Sequence, residues 1–377
     1  MEKIPFVYGK IVDKAAFINR KEELLRLQQN FSSLTNTILI SPRRWGKSSL
    51  VKRAATLIEK KEKKYRICFI DLNNIRFESD FYKSFSEAVL NDTRSKLQDT
   101  LSLIKSIFKN IIPKISISPD PNSEISLSMD WQSIARNPSE VLNLPETIGR
   151  RKKWKIIICL DEFQNIGQFA DSVAFQKKLR SHWQHHKHVS YCLYGSKRHM
   201  MIELFSDTNM PFYKFGDLIF LSKIKGQHWN RYLQHQFTRT GKKIELDLAD
   251  KVVQLADHHS YYVQQLAQIV WFRTDKQCSD KIVEDSIEAL QLQLSLLFQQ
   301  ITDKLSIKQI NFLQALVNGE ESLTSRAIIK KYNLGTSGTV IKTKKALEEK
   351  EILDLLENQI TFNDPIYQLW LRNYYFG

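Results

Sequence analysis

The sequence predicts an α/β fold: a parallel-sheet core, then a helical segment, then a small C-terminal unit of three helices and a hairpin. Three observations carry this. Short apolar runs at 37–40, 66–72, 155–160 and 190–194 alternate with helical patterns. The run at 155–160 is apolar on both faces, as a central parallel strand requires. After about residue 225 the strands stop, and helical periodicity continues to about residue 300.

A chain of 377 residues is long enough for two or three domains. The expected divisions are a core over 1–225, a helical segment over 226–300 and a last domain over 301–377. No window approaches the ~18 apolar residues of a membrane helix. The first residues lack the apolar stretch of a secretion signal. Cys68, Cys159, Cys192 and Cys278 are scattered and form no CxxC pair, which argues against a disulfide framework or a zinc site. These features fit a reducing, cytoplasmic setting and no membrane.

The net charge of +15 is uneven. Residues 1–225 hold 38 Lys and Arg against 23 Asp and Glu, whereas residues 226–377 hold 18 of each. A basic face in the first part suits nucleic acid or another polyanion, ATP included, or is simply a solvated surface.

The elements follow in order. An amphipathic helix opens near residue 18, with Leu24, Leu25, Leu27 and Phe31 on its apolar side. A buried strand at 37–40 leads through a turn at 41–46 into a helix over 47–59. A strand at 66–72 and a helical stretch over 80–110 come next. Residues 114–118 and 124–128 alternate apolar with polar around Pro119-Asp120-Pro121-Asn122-Ser123, which predicts a hairpin inserted at 114–128. A helix over 138–149 precedes the strand at 155–160. Helices at 307–317, 324–329 and 336–350, with strands at 352–356 and 359–362, make a winged helix-turn-helix.

The segment Ser41-Pro42-Arg43-Arg44-Trp45-Gly46-Lys47-Ser48 fits the phosphate-binding loop pattern G-x-x-x-x-G-K-[ST], with Ser41 in the first glycine position. Such a loop turns its backbone N–H groups and a helix N-terminus toward phosphates. Gly46 permits close backbone approach, Lys47 reaches the β- and γ-phosphates, and Ser48 offers a hydroxyl to Mg²⁺. A serine can stand at position 41 if its φ stays negative. The candidate nucleotide-binding stretch runs from Ser41 through Ser49.

The second signal is Asp161-Glu162, which ends the apolar run. Carboxylates at the C-terminal edge of an open α/β sheet stand where such sheets bind ligands. Asp161 would hold Mg²⁺, and Glu162 would activate the attacking water. The third is Gly195-Ser196-Lys197-Arg198 after the strand at 190–194. The Ser196 hydroxyl could face the γ-phosphate, and Arg198 could answer its charge.

Together these residues resemble the archaeal-type ATPase family, a branch of the P-loop AAA+ and STAND NTPases related to the origin-recognition initiators. The resemblance covers nearly the whole chain. It rests on Phe17-Ile18-Asn19-Arg20-Lys21-Glu22-Glu23-Leu24, on the loop at 41–50 (the Walker A element) and on Leu160-Asp161-Glu162-Phe163-Gln164 (the Walker B element). Gly195-Ser196, Glu203-Leu204-Phe205, Pro211-Phe212-Tyr213, Tyr261-Tyr262-Val263-Gln264-Gln265-Leu266 and Asp364-Pro365-Ile366-Tyr367-Gln368-Leu369-Trp370 extend it. It implies an additional-strand (ASCE-type) P-loop sheet, a helical lid, a winged helix, and ATP with Mg²⁺. It places Arg20 near the adenine and makes Tyr261 a lid contact. Two departures stand out. Lys214-Phe215-Gly216 follows Pro-Phe-Tyr where the family carries an arginine, and His259-Ser260 precedes Tyr261 where it carries Gly-x-Pro.

The predicted third helix of the winged domain carries Lys342, Lys344 and Lys345, with Ser337 and Thr339 near its start, which suits DNA contact. Yet residues 301–377 hold 10 Lys and Arg against 9 Asp and Glu, so a protein-binding or regulatory role stands beside it. The aromatic tail, Trp370 with Tyr374, Tyr375 and Phe376, is expected to dock onto its own domain. His185, His186 and His188 read as a solvated helix face without metal-binding partners. The function expected is an ATP-hydrolysing switch read by a protein partner or a second copy of the chain. The alternative is a DNA-binding winged-helix protein with a regulatory nucleotide site.

Overall fold

The computed structural model describes residues 4–10, 17–93, 114–117, 125–128, 134, 138–356 and 359–377. They fall into two compact units. One lies within Arg20–Pro42 and Lys47–Leu221, and the other within Met1–Asn19, Arg43–Gly46 and Ser222–Gly377.

The first unit is the sheet. Its described elements are α1 (Lys21–Ser33), β1 (Thr37–Ile40), α2 (Lys47–Lys61), β2 (Tyr65–Asp71), α3 (Glu78–Asp92), β3 (Lys114–Ile117) and β4 (Ile125–Ser128). Then come α4 (Ser139–Leu142), α5 (Leu144–Lys152), β5 (Lys155–Asp161), a 3₁₀ turn (Phe163–Gln168), α6 (Ser172–Trp183), β6 (Val189–Gly195), α7 (Arg198–Ser206) and β7 (Asp217–Phe220). Five strands pair in parallel in the order β2-β5-β6-β1-β7. The strand β6 stands between β1, which precedes the loop at 41–46, and β5, which carries the acids. That is the additional-strand arrangement. In β5, Ile156 through Leu160 are all buried, because helices cover both faces of a parallel sheet. The core on one face is aromatic, with Trp183 stacked on Tyr191 at 4.0 Å.

The structure departs from the sequence expectations at identifiable points. The helix expected over 138–149 is two helices divided at Asn143. Pro145 sits in the first turn of α5, where its missing N–H costs nothing, whereas a continuous helix would lose a hydrogen bond there. β7 has no counterpart among the predicted strands, since it is four residues long and buries only Ile219. Its pairing is fixed by Asp217, which accepts from Arg26 Nε at 2.8 Å and from Asn30 Nδ2 at 2.7 Å. The helix expected over 80–110 is seen as α3. Residues 94–110, like the hairpin turn 118–124, lie outside the described residues. β3 and β4 pair antiparallel, Lys114 opposite Ser128 and Ile117 opposite Ile125.

The histidines do not form a helix face. They lie after α6, and two of them are held. His188 Nδ1 lies 2.8 Å from Glu146 Oε1, and His186 contacts Tyr191 Oη at 2.9 Å and Asn143 Oδ1 at 3.2 Å. Glu146, 42 residues away in sequence, is the acid that sequence spacing did not reveal. Burial pushes the His186 imidazole down to about 4, so it is neutral near pH 7. Among the described residues no cluster of three His, Cys, Asp or Glu could hold a metal ion.

The second unit is helical: α8 (Gly226–Arg239), α9 (Leu246–Leu255), α10 (Ser260–Arg273) and α11 (Asp280–Thr302). The winged helix follows as α12 (Ile307–Val317), α13 (Arg326–Lys331), α14 (Ser337–Glu349), β8 (Leu353–Leu356) and β9 (Gln359–Phe362), closed by α15 (Pro365–Trp370). Side-chain caps fix the helix starts. Ser306 and Gln309 form a reciprocal capping box at α12, and Asp364 accepts from Ile366 N and Tyr367 N at 3.0 Å at α15. One apolar core runs from Trp229 and Leu233 through Phe298 to Leu347 and Trp370. The tail docks only in part. Trp370 is buried and donates to Ser295 Oγ at 3.0 Å, whereas Tyr374 and Tyr375 are exposed. Among the described residues no helix is long and apolar enough to cross a membrane.

Candidate nucleotide site

β1 delivers the chain to the C-terminal edge of the sheet. Ser41 is buried, and its N–H faces Gly195 O at 3.4 Å. Ser41 is not among the residues with positive φ, so serine meets the condition set for that position. The left-handed residues of the loop are Arg44 (φ 63°) and Gly46 (φ 91°). At Gly46 a Cβ would meet nothing within 4 Å, so backbone conformation rather than space selects glycine there. α2 begins at Lys47 immediately after it.

Five of the predicted residues converge. Lys47 Nζ donates to Glu162 Oε1 at 2.9 Å and lies 3.8 Å from Asp161 Oδ1. Ser48 Oγ donates to Asp161 Oδ2 at 2.8 Å. Ser196 Oγ donates to Glu162 Oε2 at 2.7 Å. Asp161 is the last residue of β5, and Glu162 turns off the strand in a left-handed conformation at φ 52°. That turn sends two consecutive carboxylates to different partners, Asp161 to the Ser48 hydroxyl and Glu162 to Lys47 and Ser196.

The two acids are also divided electrostatically. Burial raises both, but for Glu162 the Lys47 charge and hydrogen bonds from Gln164, Lys47 and Ser196 win, holding it at about 2. For Asp161 burial prevails over the opposing pull of Lys47 and the Ser48 hydrogen bond, and the group is raised. The more readily ionised of the two carboxyls, Glu162, is therefore the one that Lys47 holds.

Gln164 carries no chemical signal of its own in the sequence beyond the family resemblance, yet it belongs to this cluster. It is buried, and its Nε2 donates to Glu162 Oε2 at 2.6 Å. It packs against Gly195, where a Cβ would fall 2.0 Å from Gln164 Oε1. The glycine that ends β6 is therefore required by the glutamine two residues after the acid pair. Only the pairing of β5 beside β6 reveals that dependence.

The remaining candidates have surroundings of their own. Arg20 is buried at the start of α1 and bonds Glu23 Oε1 at 3.0 Å. Ser49 is buried in α2, and Arg198 is buried at the first turn of α7. In the helical unit, Arg43 pairs with Glu351 at 3.2 Å, and the Arg44 guanidinium lies 4.5 Å from the centre of the Tyr261 ring. Trp45 lies beside Lys223, its ring centre 6.0 Å from the lysine Nζ. Tyr262, next to Tyr261, hydrogen-bonds Asp364, one of several polar contacts, with Trp370–Ser295 and Asn373–Gln291, that join residues 226–300 to residues 301–377.

The donor set is compatible with Mg²⁺. A hydroxyl and a carboxylate 2.8 Å apart are hard oxygen ligands of the kind that hold this ion by one or two protein groups, the rest coming from phosphates and water.

A parallel sheet with an added strand, a lysine and serine opening the helix after β1, and paired acids after β5 define the class: a P-loop ATPase core followed by a helical lid and winged helix. Residues 17–230 match the model of an ATPase domain predominantly from Archaea, more than half of the chain, and the chain belongs to that family. Residues 296–373 match a probable winged helix domain. The fold is shared with a Walker-type ATPase of Pyrococcus abyssi at 16% identity and TM-score 0.65, covering 95% of this chain and 97% of that one. It is shared with the Aeropyrum pernix ORC2 protein in its ADPNP–ADP complexes at 14% identity and TM-score 0.54, covering 96% and 94%. The A. pernix ORC1 protein in complex with DNA aligns at 10% identity and TM-score 0.50, covering 95% and 93%. Comparison with curated proteins gave no match.

Proposed function

We propose that the protein is a Mg²⁺-dependent ATP-hydrolysing switch whose lid, taken as 226–300, and winged helix, taken as 301–377, pass the nucleotide state to a partner. The observation that carries this reading is the cluster in which Lys47 holds Glu162 while Ser48 holds Asp161. In the proposed cycle, Lys47 leaves Glu162 for the β- and γ-phosphates. Glu162 then loses the cation that keeps it near 2 and becomes a better base for the attacking water, oriented by Ser196 and Gln164. Ser48 and Asp161 would hold Mg²⁺, which supplies charge neutralisation on the phosphate oxygens. Ser196 and Arg198 would answer the γ-phosphate, Arg20 would flank the base, and the loop amides of 41–49 would cradle the phosphates.

The transmission step rests on the loop itself. Arg43 pairs with Glu351, at the turn before β8, and Arg44 lies over Tyr261 of α10. Arg43 and Arg44, in the loop proposed to cradle the phosphates, each contact one of the segments proposed to move, which supports coupling through the loop. The partner, a protein or a second copy of the chain, would read the positions of these segments. The test is Glu162→Gln. The reading expects Mg²⁺-dependent turnover to fall at least a hundredfold while ATP binding is retained, with Lys47→Ala losing both. Turnover unchanged in Glu162→Gln would overturn it.

A further inference from the structure

The N-terminal ends of β2, β5 and β6 lie side by side, at the edge of the sheet opposite Lys47 and the acid pair. Tyr65 stands beside Lys155 and Ile156 beside Val189 in the strand register. Lys155 N donates to Lys64 O at 2.9 Å, and Ile156 N donates to His188 O at 2.9 Å. A close approach at Gly149, where a Cβ would sit 2.8 Å from His188 Cβ, brings the end of α5 against the same corner. Segments 60–66, 150–155 and 184–188 are therefore spatial neighbours.

Those three segments hold eleven Lys and Arg: five in 60–66, five in 150–155, and Lys187. Glu62 is their one carboxylate, and it pairs with Lys64 at 2.5 Å. Most of the cations are exposed, among them Lys60, Lys63, Arg150, Lys153 and Lys187. The fold supports their density. Arg150 to Lys152 close α5, where the helix dipole favours positive charge. Lys155 Nζ donates to Ser32 O at 2.7 Å, and the Arg66 guanidinium lies 4.2 Å from the centre of the Trp154 ring.

We propose that this edge binds the phosphate backbone of duplex DNA without reading its sequence, at a site separate from the ATP site and independent of the switch reading above. β5 spans seven residues, so about 20 Å separates its basic start from Asp161, too far for ATP phosphates to answer both. Adjacent strands stand about 4.8 Å apart, so three strand ends cover roughly 10 Å. A duplex presents one phosphate charge per about 1.7 Å of axis, enough to engage several of these cations at once. A protein partner fits less well. Protein interfaces are depleted in Lys and centred on apolar groups, whereas eight of these eleven cations are Lys, and the local aromatics Tyr65 and Trp154 already pack under Lys155 and Arg66.

The experiment is fluorescence anisotropy of a labelled random-sequence duplex with the full-length protein across a salt series, with circular dichroism and ATP turnover as folding controls. Replacing Arg150, Arg151, Lys152 and Lys153 together by Ala should weaken binding at least tenfold. It should also lower the slope of log affinity against log salt by up to about 3.6, which is about 0.9 for each of four lost phosphate contacts. Lys342, Lys344 and Lys345 replaced together by Ala should leave that slope unchanged. Should the fourfold variant fail to fold, the single reversal Lys63→Glu, in an exposed loop, is expected to weaken binding severalfold. The proposal is overturned if the wild-type protein does not bind the duplex, or if a folded basic-edge variant keeps the full slope. It is equally overturned if only the winged-helix variant loses affinity, or if polyglutamate but not DNA is retained.

Discussion

Replacing Lys47 by methionine keeps the stem of the side chain and removes its charge. In the wild-type fold that charge sits 2.9 Å from Glu162 Oε1 and 3.8 Å from Asp161 Oδ1, in a side chain only 9% exposed. The cluster holds Glu162 at about 2 against an ordinary 4.5. A difference of roughly 2.5 units, at about 1.36 kcal/mol each, makes ionised Glu162 worth about 3 kcal/mol to the folded state. Gln164 and Ser196 supply part of this, so Lys47→Met should cost about 2 kcal/mol near pH 7. The sign follows from the direction of the shift. A depressed carboxyl stabilises above its unfolded value and loses that contribution as pH falls from about 4.5 through about 2. In the methionine variant Glu162 takes up its proton at higher pH, which relieves the uncompensated charge. Asp161 works the other way. Burial already raises it, so its ionised form destabilises, and loss of Lys47 raises it further. Both effects make the gap between wild type and variant largest near neutrality and smaller toward about pH 5. Urea unfolding followed by far-ultraviolet circular dichroism at the two pH values measures it. A variant as stable as wild type near pH 7, or a gap that does not narrow on acidification, would refute the assignment of Lys47 as the counter-charge of Glu162.

Two further substitutions probe the packing around the site and the closure of the helical unit. Gly195→Ala places a Cβ 2.0 Å from Gln164 Oε1 and 2.8 Å from Met201 Sδ, so Gln164 must move. The expected result is about 1–3 kcal/mol of lost stability in thermal melts and a drop in ATP turnover larger than any change in ATP affinity. Tyr262→Phe deletes the hydroxyl that bonds Asp364, leaving a largely buried carboxyl short of one donor. It should cost about 1–3 kcal/mol in denaturant unfolding, and a neutral result would mean that Asp364 is satisfied by its backbone donors alone.

Much of the fold was legible because its signals are local. The strands at 37–40 and 155–160 are short apolar runs, and the loop between them in space is a contiguous motif. The winged helix announced itself through helix lengths and a two-strand hairpin, and 307–317 and 359–362 match the observed elements residue for residue. What stayed hidden depended on contacts between distant segments. β7 is too short, at four residues, for periodicity to mark it, and it exists because β1 offers a partner and Arg26 and Asn30 hold Asp217. The carboxylate beside His188 lies in another helix. The role of Gln164 depends on a glycine in a neighbouring strand.

The sequence by itself determined the chemistry at the end of β1 and β5: a lysine, a hydroxyl and two carboxylates, each at a strand edge where backbone direction is fixed by the strand itself. It also determined the sign of the surface charge. Only the tertiary structure decided how those groups are paired. The order β2-β5-β6-β1 sets Lys47 against Glu162 and Ser48 against Asp161, and the left-handed turn at Glu162 divides the two acids between partners. It decided as well that two basic runs some ninety residues apart in sequence form one surface, because parallel pairing aligns the starts of β2 and β5. Composition fixes how much charge a chain carries, while strand register fixes which charges lie close enough to act together.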